Sequence, residues 1–186
     1  DAFFTRRKFF PVFEIKQKNI DKMIKKLSKY KPVLIDGYAE AINLCARYIS
    51  SKEKLSNKKM SVISSAQMLP QHSRELIENN LNCKVYDKYG SREFSGIAYE
   101  CEEHNGHHVV AENYIVEILK DGKPAELGEV GEVVITDLNN YCMPLIRYRI
   151  GDLATSLGNQ QCSCGRGLPL IGDIEGRVQS IIIGAN

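Results

Sequence analysis

Apolar positions in the first half of the chain recur with the spacing of amphipathic helices. Over residues 19–30 they fall at i, i+3, i+4 and i+7, which predicts a helix with one buried face. Similar patterns predict helices over 38–50 and 70–82. Short apolar runs between them predict strands, and these runs are Val33-Leu34-Ile35, which we expect to be a buried strand closed by a turn, Met60–Ser64 and Val85-Tyr86. This alternation predicts α/β layering around a largely parallel sheet.

The pattern changes after about residue 95, where β-rich segments follow one another without helices between them. Turn-forming pairs such as Asn105-Gly106 and Asp121-Gly122 separate these segments. The segments are 96–101, 107–119, 130–137, 145–156 and 178–184. We therefore predict an α/β lobe over residues 1–95 and a small antiparallel, barrel-like β lobe over residues 96–186.

Charge is distributed unevenly along the 186 residues. Residues 1–60 contain 15 Lys/Arg and 6 Asp/Glu, whereas the rest contain 10 and 17, giving a net charge of +2. A solvated helix face explains the basic part best, because its lysines lie among helix-forming residues. A nucleic-acid interface is the weakest alternative, since no aromatic residues interleave with the basic ones. We expect no nucleic-acid partner.

The chain has no apolar run near the length that a membrane helix requires, and residues 1–8 do not resemble a signal peptide. The spacing of its six cysteines does not suggest a disulfide framework. We therefore expect a cytoplasmic protein without a membrane partner, containing reduced thiols and a metal site.

Three short segments carry candidate chemistry. Tyr89-Gly90-Ser91-Arg92-Glu93 follows a predicted strand, where open α/β sheets bind ligands. Its glycine permits close approach of a ligand, its hydroxyl can bond a phosphate, and its carboxylate can hold Mg²⁺. Asp152 lies in the segment 147–153, and an ionised carboxylate there can accept hydrogen bonds from a ribose diol. Segment 175–179 precedes an apolar run. Each segment alone is equally compatible with an ordinary polar turn.

Taken together and in this order, the three segments resemble the adenylate-forming superfamily of acyl-CoA synthetases, peptide-synthetase adenylation domains and luciferases. The resemblance extends over nearly the whole chain. It is strongest for the phenylacetate–coenzyme A ligase branch, including its homologues of capsular polysaccharide biosynthesis. The stretches Asn139–Leu153 and Cys162–Leu170 are typical of that branch. The resemblance implies part of the large N-terminal domain of an ATP-dependent ligase that forms acyl-AMP.

The same resemblance implies roles for individual residues. Glu93 would bind Mg²⁺ beside the ATP phosphates, Ser91 would contact the acyl-adenylate as a second catalytic residue, and Asp152 would hold the ribose hydroxyls. The remaining nucleotide contacts implied are Ser65, Ala66, Gln67, Asp87, Lys88, Tyr89, Gly90 and Arg177. Two positions depart from the family pattern, because Arg92 replaces a usual threonine and Val178-Gln179 replaces the usual hinge residue.

Two family features do not occur in this sequence: the Gly/Ser/Thr-rich phosphate loop and the C-terminal domain with its adenylation lysine. We therefore expect these 186 residues alone to lack ligase activity. The resemblance implies a small carboxylic acid, a nucleotide and coenzyme A as partners of the longer enzyme. An acceptor on a sugar or carrier and a homodimeric parent stay open. The alternative function is a non-catalytic, zinc-stabilised module that binds a nucleotide or a partner.

Cysteines and histidines in the predicted β lobe suggest a zinc site. A hairpin turning at Asn105-Gly106 would bring Cys101 opposite His108, and Cys162 and Cys164 could join them. Three cysteines and one histidine form a normal closed zinc site. His104 is the rival fourth ligand through a Cys-x₂-His spacing. The alternatives are a buried Cys101 beside a solvated histidine turn, or a role for His108 in the active site.

Overall fold

A computed structural model describes residues 6–11, 17–49 and 60–178 of the chain. The protein is a mixed α/β protein that divides into two compact units, Asp1–Val85 and Tyr86–Asn186. The predicted lobe boundary at 95–96 falls at the beginning of a strand in the second unit.

Helices and parallel strands alternate in the first unit. Its helices are α1 (Gln17–Tyr30), α2 (Ala39–Ile49) and α3 (Gln71–Leu81), and its strands β1 (Leu34–Tyr38) and β2 (Met60–Ser65) pair in parallel. The predicted apolar faces build one core, which contains Ile42, Ala46, Ile49, Met60, Val62, Ile77, Leu81 and Val85. None of the described helices is long and apolar enough to cross a membrane.

The predicted strand at residues 33–35 is confirmed at Leu34 and Ile35, which belong to β1, but the prediction that it is buried was wrong. Val33 is 76% exposed and Leu34 is 50% exposed. The strand also continues through Asp36 and Gly37, where a turn was predicted, because these residues pair with Ile63 and Ser64 of β2. Sequence pattern alone does not distinguish a strand covered on both faces from one with an open face.

Antiparallel strands dominate the second unit. Strand β3 (Cys83–Ser91) begins in the first unit, and the order of the second is β3-β4-β5-β10-β9-β8-β6-β7. The other strands are β4 (Ser95–Glu100), β5 (His107–Val109), β6 (Tyr114–Lys120), β7 (Lys123–Pro124), β8 (Val130–Asp137), β9 (Tyr148–Ser156) and β10 (Leu170–Arg177). The described strands show no β3–β7 pairing, so barrel-like closure is not confirmed.

Two predicted strands of the β lobe differ from the structure. The segment 107–119 is interrupted by a turn at 111–113, which separates β5 from β6. The strand predicted at 178–184 lies almost wholly outside the described residues, and Val178 itself is not part of a strand. Strand β10 was not predicted, because Gly172 and Gly176 interrupt its alternation and glycine is a poor strand former.

Candidate nucleotide site and a cysteine–histidine cluster

Asp152 lies at the centre of a polar network in the second unit. Alternate residues of β9 face the core, and Asp152 takes one of these inward positions with 7% exposure. The Tyr89 hydroxyl donates a hydrogen bond to Asp152 Oδ2 (2.9 Å), and Arg177 Nε donates to Oδ1 (3.0 Å). Three strands (β3, β9 and β10) therefore converge on one carboxylate.

Tyr89 acts as the hydrogen-bond donor to this carboxylate. Burial, together with the charge and hydrogen bond of Asp152, raises the pKa of Tyr89 well above its ordinary value. The phenol therefore remains neutral and acts as a hydrogen-bond donor. Each carboxylate oxygen has two lone pairs, so Asp152 retains capacity for two further hydrogen bonds after those from Tyr89 and Arg177. A vicinal diol such as that of ribose supplies two such donors.

The β3–β4 hairpin holds Ser91 and Glu93. Ser91 Oγ accepts a hydrogen bond from the Phe94 backbone N–H (3.3 Å). A hydrogen bond with Ser91, aided by the Glu93 backbone N–H, lowers the pKa of Glu93 below its ordinary value. Glu93 is exposed, so an ionised carboxylate faces solvent at this hairpin and is available to a cation.

Glycine is required at position 90 for a structural reason other than the close approach of a ligand, which the sequence suggested. The motif lies in a strand that continues to Ser91, not in a loop after one, and the pairing of β3 with β4 shifts register between Tyr89 and Gly90. A Cβ at position 90 would overlap the carbonyl oxygen of Ser95. The neighbouring strand therefore requires glycine here, whatever a ligand requires.

Asp87 and Lys88 precede Tyr89 on β3. The Asp87 N–H donates to Glu100 Oε2 (2.7 Å), and Asp87 Oδ2 lies 3.3 Å from His107 Nε2. Lys88 pairs with Tyr99 of β4. The buried His107 was missed by the sequence analysis. The signal for it was the His107-His108 pair in a strand, since adjacent strand residues face opposite sides.

The first unit contains the other predicted nucleotide contacts. Ser65 ends β2, and its Oγ donates to the Gly37 carbonyl (3.3 Å). Ala66 follows with a left-handed backbone (φ 70°), and Gln67 Oε1 accepts a hydrogen bond from the Glu40 N–H (3.3 Å). The Ser65 bond joins the end of β2 to β1, and the Gln67 bond anchors the loop after β2 to the first turn of α2.

A second cluster of side chains lies in the second unit and contains three thiols and one imidazole. Cys101, His108, Cys162 and Cys164 place their potential ligand atoms within 4.8 Å of one another. Cys101 Sγ lies 3.6 Å from Cys162 Sγ, and Cys164 Sγ lies 3.4 Å from His108 Nε2. Cys101, His108 and Cys162 are buried, and Cys164 is half-buried.

The sheet brings these residues together. Cys101 directly follows β4, and His108 lies on β5, which pairs with both β4 and β10. The two remaining cysteines lie in the loop that leads into β10. Gly106 permits the tight turn before β5, because its φ is 87° and a Cβ would lie 2.6 Å from the Ile171 carbonyl oxygen.

Backbone and side-chain donors surround the thiols. Burial raises the pKa of Cys101 to about 11, although the Glu103 N–H donates to its sulfur. Burial also acts to raise the pKa of Cys164, but hydrogen bonds from the Arg166 backbone and side chain outweigh it and hold that pKa below its ordinary value. Burial lowers the pKa of His108, which favours its neutral, metal-binding form.

His104 lies apart from this cluster. Its Nδ1 is 3.2 Å from Glu100 Oε2, and its ring stacks on Tyr86 with centroids 5.7 Å apart. Of the two histidines that the sequence left as rivals, the structure places only His108 against the thiols.

Comparison with known proteins finds relatives of one kind, although no family model matches the chain. A phenylacetate–coenzyme A ligase of Thermus thermophilus is 36% identical over 115 residues, which cover 59% of this chain and 26% of that protein. Protein CapK of Staphylococcus aureus is 32% identical over 135 residues, covering 72% of this chain and 29% of CapK. The chain thus spans under a third of the length of these relatives.

Solved structures share the fold. A 2-hydroxyisobutyryl-CoA ligase in its postadenylation state, in complex with R3-HIB-AMP, superposes with a TM-score of 0.81 at 23% identity, over 98% of this chain and 40% of that chain. The O-succinylbenzoate coenzyme A synthetase of Bacillus subtilis in complex with AMP gives a TM-score of 0.64 at 14% identity, over 88% of this chain and 35% of that chain. The chain therefore matches, in sequence, a segment of phenylacetate–coenzyme A ligases and of CapK, and it shares the fold of acyl-CoA ligases of the adenylate-forming superfamily.

Proposed function

We propose that this chain is part of an AMP-forming acid–thiol ligase, in which the Asp152 network binds the ribose of the nucleotide. The carboxylate oxygen of a small acid would attack the α-phosphorus of ATP and release pyrophosphate. The thiol of coenzyme A would then attack the acyl carbonyl and release AMP. The observation that carries the proposal is a buried carboxylate, Asp152, fixed by Tyr89 and Arg177 yet able to accept two more hydrogen bonds.

The neighbouring residues would make the contacts with the adenine, the acyl-phosphate region and Mg²⁺. Tyr89, with Asp87, Lys88 and Gly90 on the same strand, would flank the adenine. Ser91 would contact the acyl-phosphate region of the adenylate. Glu93 would hold Mg²⁺, whose charge assists the departure of pyrophosphate. The depressed pKa of Glu93 supports this role, because the carboxylate is ionised at neutral pH.

The names of the relatives support the acyl acceptor that we propose. The curated ligases are phenylacetate–coenzyme A ligases, and a 2-hydroxyisobutyryl-CoA ligase has been solved with both 2-HIB-AMP and coenzyme A. The likeness to CapK keeps open a second acceptor, the amine or hydroxyl on a sugar or carrier that the resemblance to capsule-type homologues implied. All six cysteines are free, which supports a reducing, cytoplasmic location.

The 186 residues by themselves are proposed to bind the nucleotide without forming acyl-AMP. The sequence contains no Gly/Ser/Thr-rich loop to position the phosphates, and positioning supplies much of the rate of phosphoryl and adenylyl transfer. The expected result is no release of pyrophosphate from the chain supplied with ATP, Mg²⁺ and a panel of carboxylic acids. Robust release would instead show that the chain contains a complete catalytic site.

A double-mutant cycle between protein and nucleotide tests the ribose contact. Asp152→Asn should weaken AMP binding by about 10- to 100-fold, because a hydrogen bond to a charged group contributes about 1.5–3 kcal/mol. Removing the 2′-hydroxyl of AMP should weaken binding to the unmodified chain, but should have little further effect on Asp152→Asn. Isothermal titration calorimetry measures all four affinities.

Asp173→Asn is the matched control, since Asp173 is an exposed carboxylate on β10. It should leave both affinities unchanged. Equal losses of affinity on removing the 2′-hydroxyl, with and without Asp152, would show that Asp152 does not hold the ribose.

A further inference from the structure

We propose that Cys101, His108, Cys162 and Cys164 bind one structural Zn²⁺ ion that joins two loops of the second unit. The inference is independent of the proposed ligase activity, because none of the four residues belongs to the Asp152 network. It rests on the chemistry of the donors, their spacing, their hydrogen bonds and the elements that they connect.

Two distances between donor atoms are close to the edges of a tetrahedron around zinc. Bond lengths of about 2.3 Å to sulfur and 2.0–2.1 Å to nitrogen give tetrahedral edges of about 3.8 Å between two sulfurs and about 3.6 Å between sulfur and nitrogen. The Cys101–Cys162 sulfurs are 3.6 Å apart, and Cys164 Sγ is 3.4 Å from His108 Nε2. All four donor atoms fall within 4.8 Å of one another, close enough to converge on one ion with small side-chain adjustments.

Two alternatives fit the cluster less well. A disulfide between Cys101 and Cys162 would need a sulfur–sulfur distance of about 2.05 Å, much shorter than the observed 3.6 Å. Simple packing of buried cysteines as small apolar side chains does not explain why an imidazole nitrogen points at a third sulfur. The Nδ1 atom of the same imidazole has no hydrogen-bond partner in the described part of the chain.

Hydrogen bonds around the cluster suit thiolate ligands. The backbone N–H two residues after Cys101 donates to its sulfur, and the N–H two residues after Cys164 does the same. Three thiolates and Zn²⁺ together have a net charge of −1, and the Arg166 guanidinium, hydrogen-bonded to Cys164, lies beside that charge. Donors of this kind hold the ligands of a metal in place.

The ion would connect two loops that adjoin the β5–β10 pairing but that few other described interactions join directly. Cys101 and His108 flank the turn between β4 and β5, whereas Cys162 and Cys164 lie in the long loop between β9 and β10. Besides the cluster, two exposed polar bonds join these loops: Ser163 Oγ to Glu103 Oε2 (2.9 Å) and Arg166 Nη1 to Glu102 Oε2 (3.0 Å). Exposed pairs of this kind contribute little stability. Four protein ligands leave no open position, so the site is structural and not catalytic.

Metal content is the first test. The chain, purified without a histidine tag and without added metal, should contain about one equivalent of zinc by plasma mass spectrometry. Cys162→Ser and His108→Gln should reduce the content to less than about a fifth of an equivalent. Cys142→Ser and His104→Gln are the matched controls, because Cys142 is exposed and His104 lies against Glu100, and both should retain the metal.

A second measurement on the unmodified chain covers the case in which the variants do not fold. Alkylation followed by peptide mass spectrometry should label Cys142 at once, whereas Cys101, Cys162 and Cys164 should react only after a chelator is added. Chain reconstituted with Co²⁺ should show the visible absorption of tetrahedral cobalt and a thiolate charge-transfer band. The proposal is overturned by metal-free chain whose three cysteines react equally with and without chelator, or by loss of metal in His104→Gln with retention in His108→Gln.

Discussion

The second unit contains two groups of polar side chains that differ in how completely they are satisfied. Asp152 has two partners and room for more, and the Arg177 side chain beside it is 64% exposed. The four residues of the cysteine–histidine cluster are directed at one another, and three of them are buried. An open, partly satisfied group suits a ligand that enters and leaves. A closed set of four ligand residues is suited to a metal ion that remains bound.

The two sites should differ most in how much their ligand, the metal or AMP, changes the unfolding temperature. Chelation of the metal should lower the unfolding temperature by more than about 10 °C, because the binding energy of a structural metal is part of the folding energy. AMP at ten times its dissociation constant adds only about 1.4 kcal/mol, or a rise of about 3–6 °C. Differential scanning calorimetry measures both. A chelator effect no larger than the AMP effect would abolish the distinction between the sites.

Two glycines allow a narrower test of the turn beside the metal cluster. Gly106 and Gly122 both have positive φ, at 87° and 77°, but only at Gly106 would a Cβ meet neighbouring atoms, the nearest being the Ile171 carbonyl oxygen at 2.6 Å. Gly122→Ala should cost about 1 kcal/mol of unfolding free energy and Gly106→Ala at least about 3 kcal/mol, since a steric overlap adds to the strained backbone.

Urea denaturation gives both free energies, and zinc content should fall with Gly106→Ala alone. Equal costs for the two variants would mean that the β4–β5 turn can shift away from β10, and that the cluster does not depend on a rigid turn.

The smallest expected effect is the pH dependence of the Tyr89–Asp152 contact. Burial and Asp152 raise the pKa of Tyr89 above the unfolded value of about 10. Its neutral form therefore stabilises the fold fully below about pH 10, and that contribution is lost as pH rises towards the folded pKa. Tyr89→Phe should cost about 1 kcal/mol at pH 8. The gap to the unmodified chain should narrow between pH 9 and pH 11, measured by urea denaturation; a gap that widens would contradict the assigned cause.

The bounds of the helices could be predicted from the sequence more accurately than the contacts within the two sites. The period of apolar residues located α1, α2 and α3 to within two residues of their described ends, because each buries one continuous face. The same reasoning failed for Val33-Leu34, since apolar character does not reveal which face is covered. Strand β10 was missed because its two inner glycines break the alternation.

Pairing of strands explains why the contacts within the sites could not be derived from spacing. Tyr89 and Asp152 are 63 positions apart, and only the strand order brings them together. The sequence also could not decide whether His104 or His108 is the fourth ligand, since the spacing of each from Cys101 suits zinc. The strand register explains why His108 lies near the thiols, because His108 pairs with Leu170, which follows the loop that contains Cys162 and Cys164.

The alternation along β9 has a consequence for how this protein would change under selection. Ile150, Asp152 and Ala154 occupy successive inward positions, so a carboxylate stands where the strand otherwise places apolar side chains. Replacing a buried charged group by a well-packed apolar one is often neutral or stabilising. Lineages or laboratory libraries selected only for thermal resistance should therefore accept leucine or valine at position 152 once Tyr89 is also replaced by phenylalanine, since the buried phenol would otherwise lose its partner, and retention of aspartate at position 152 would record selection for the ligand rather than for the fold.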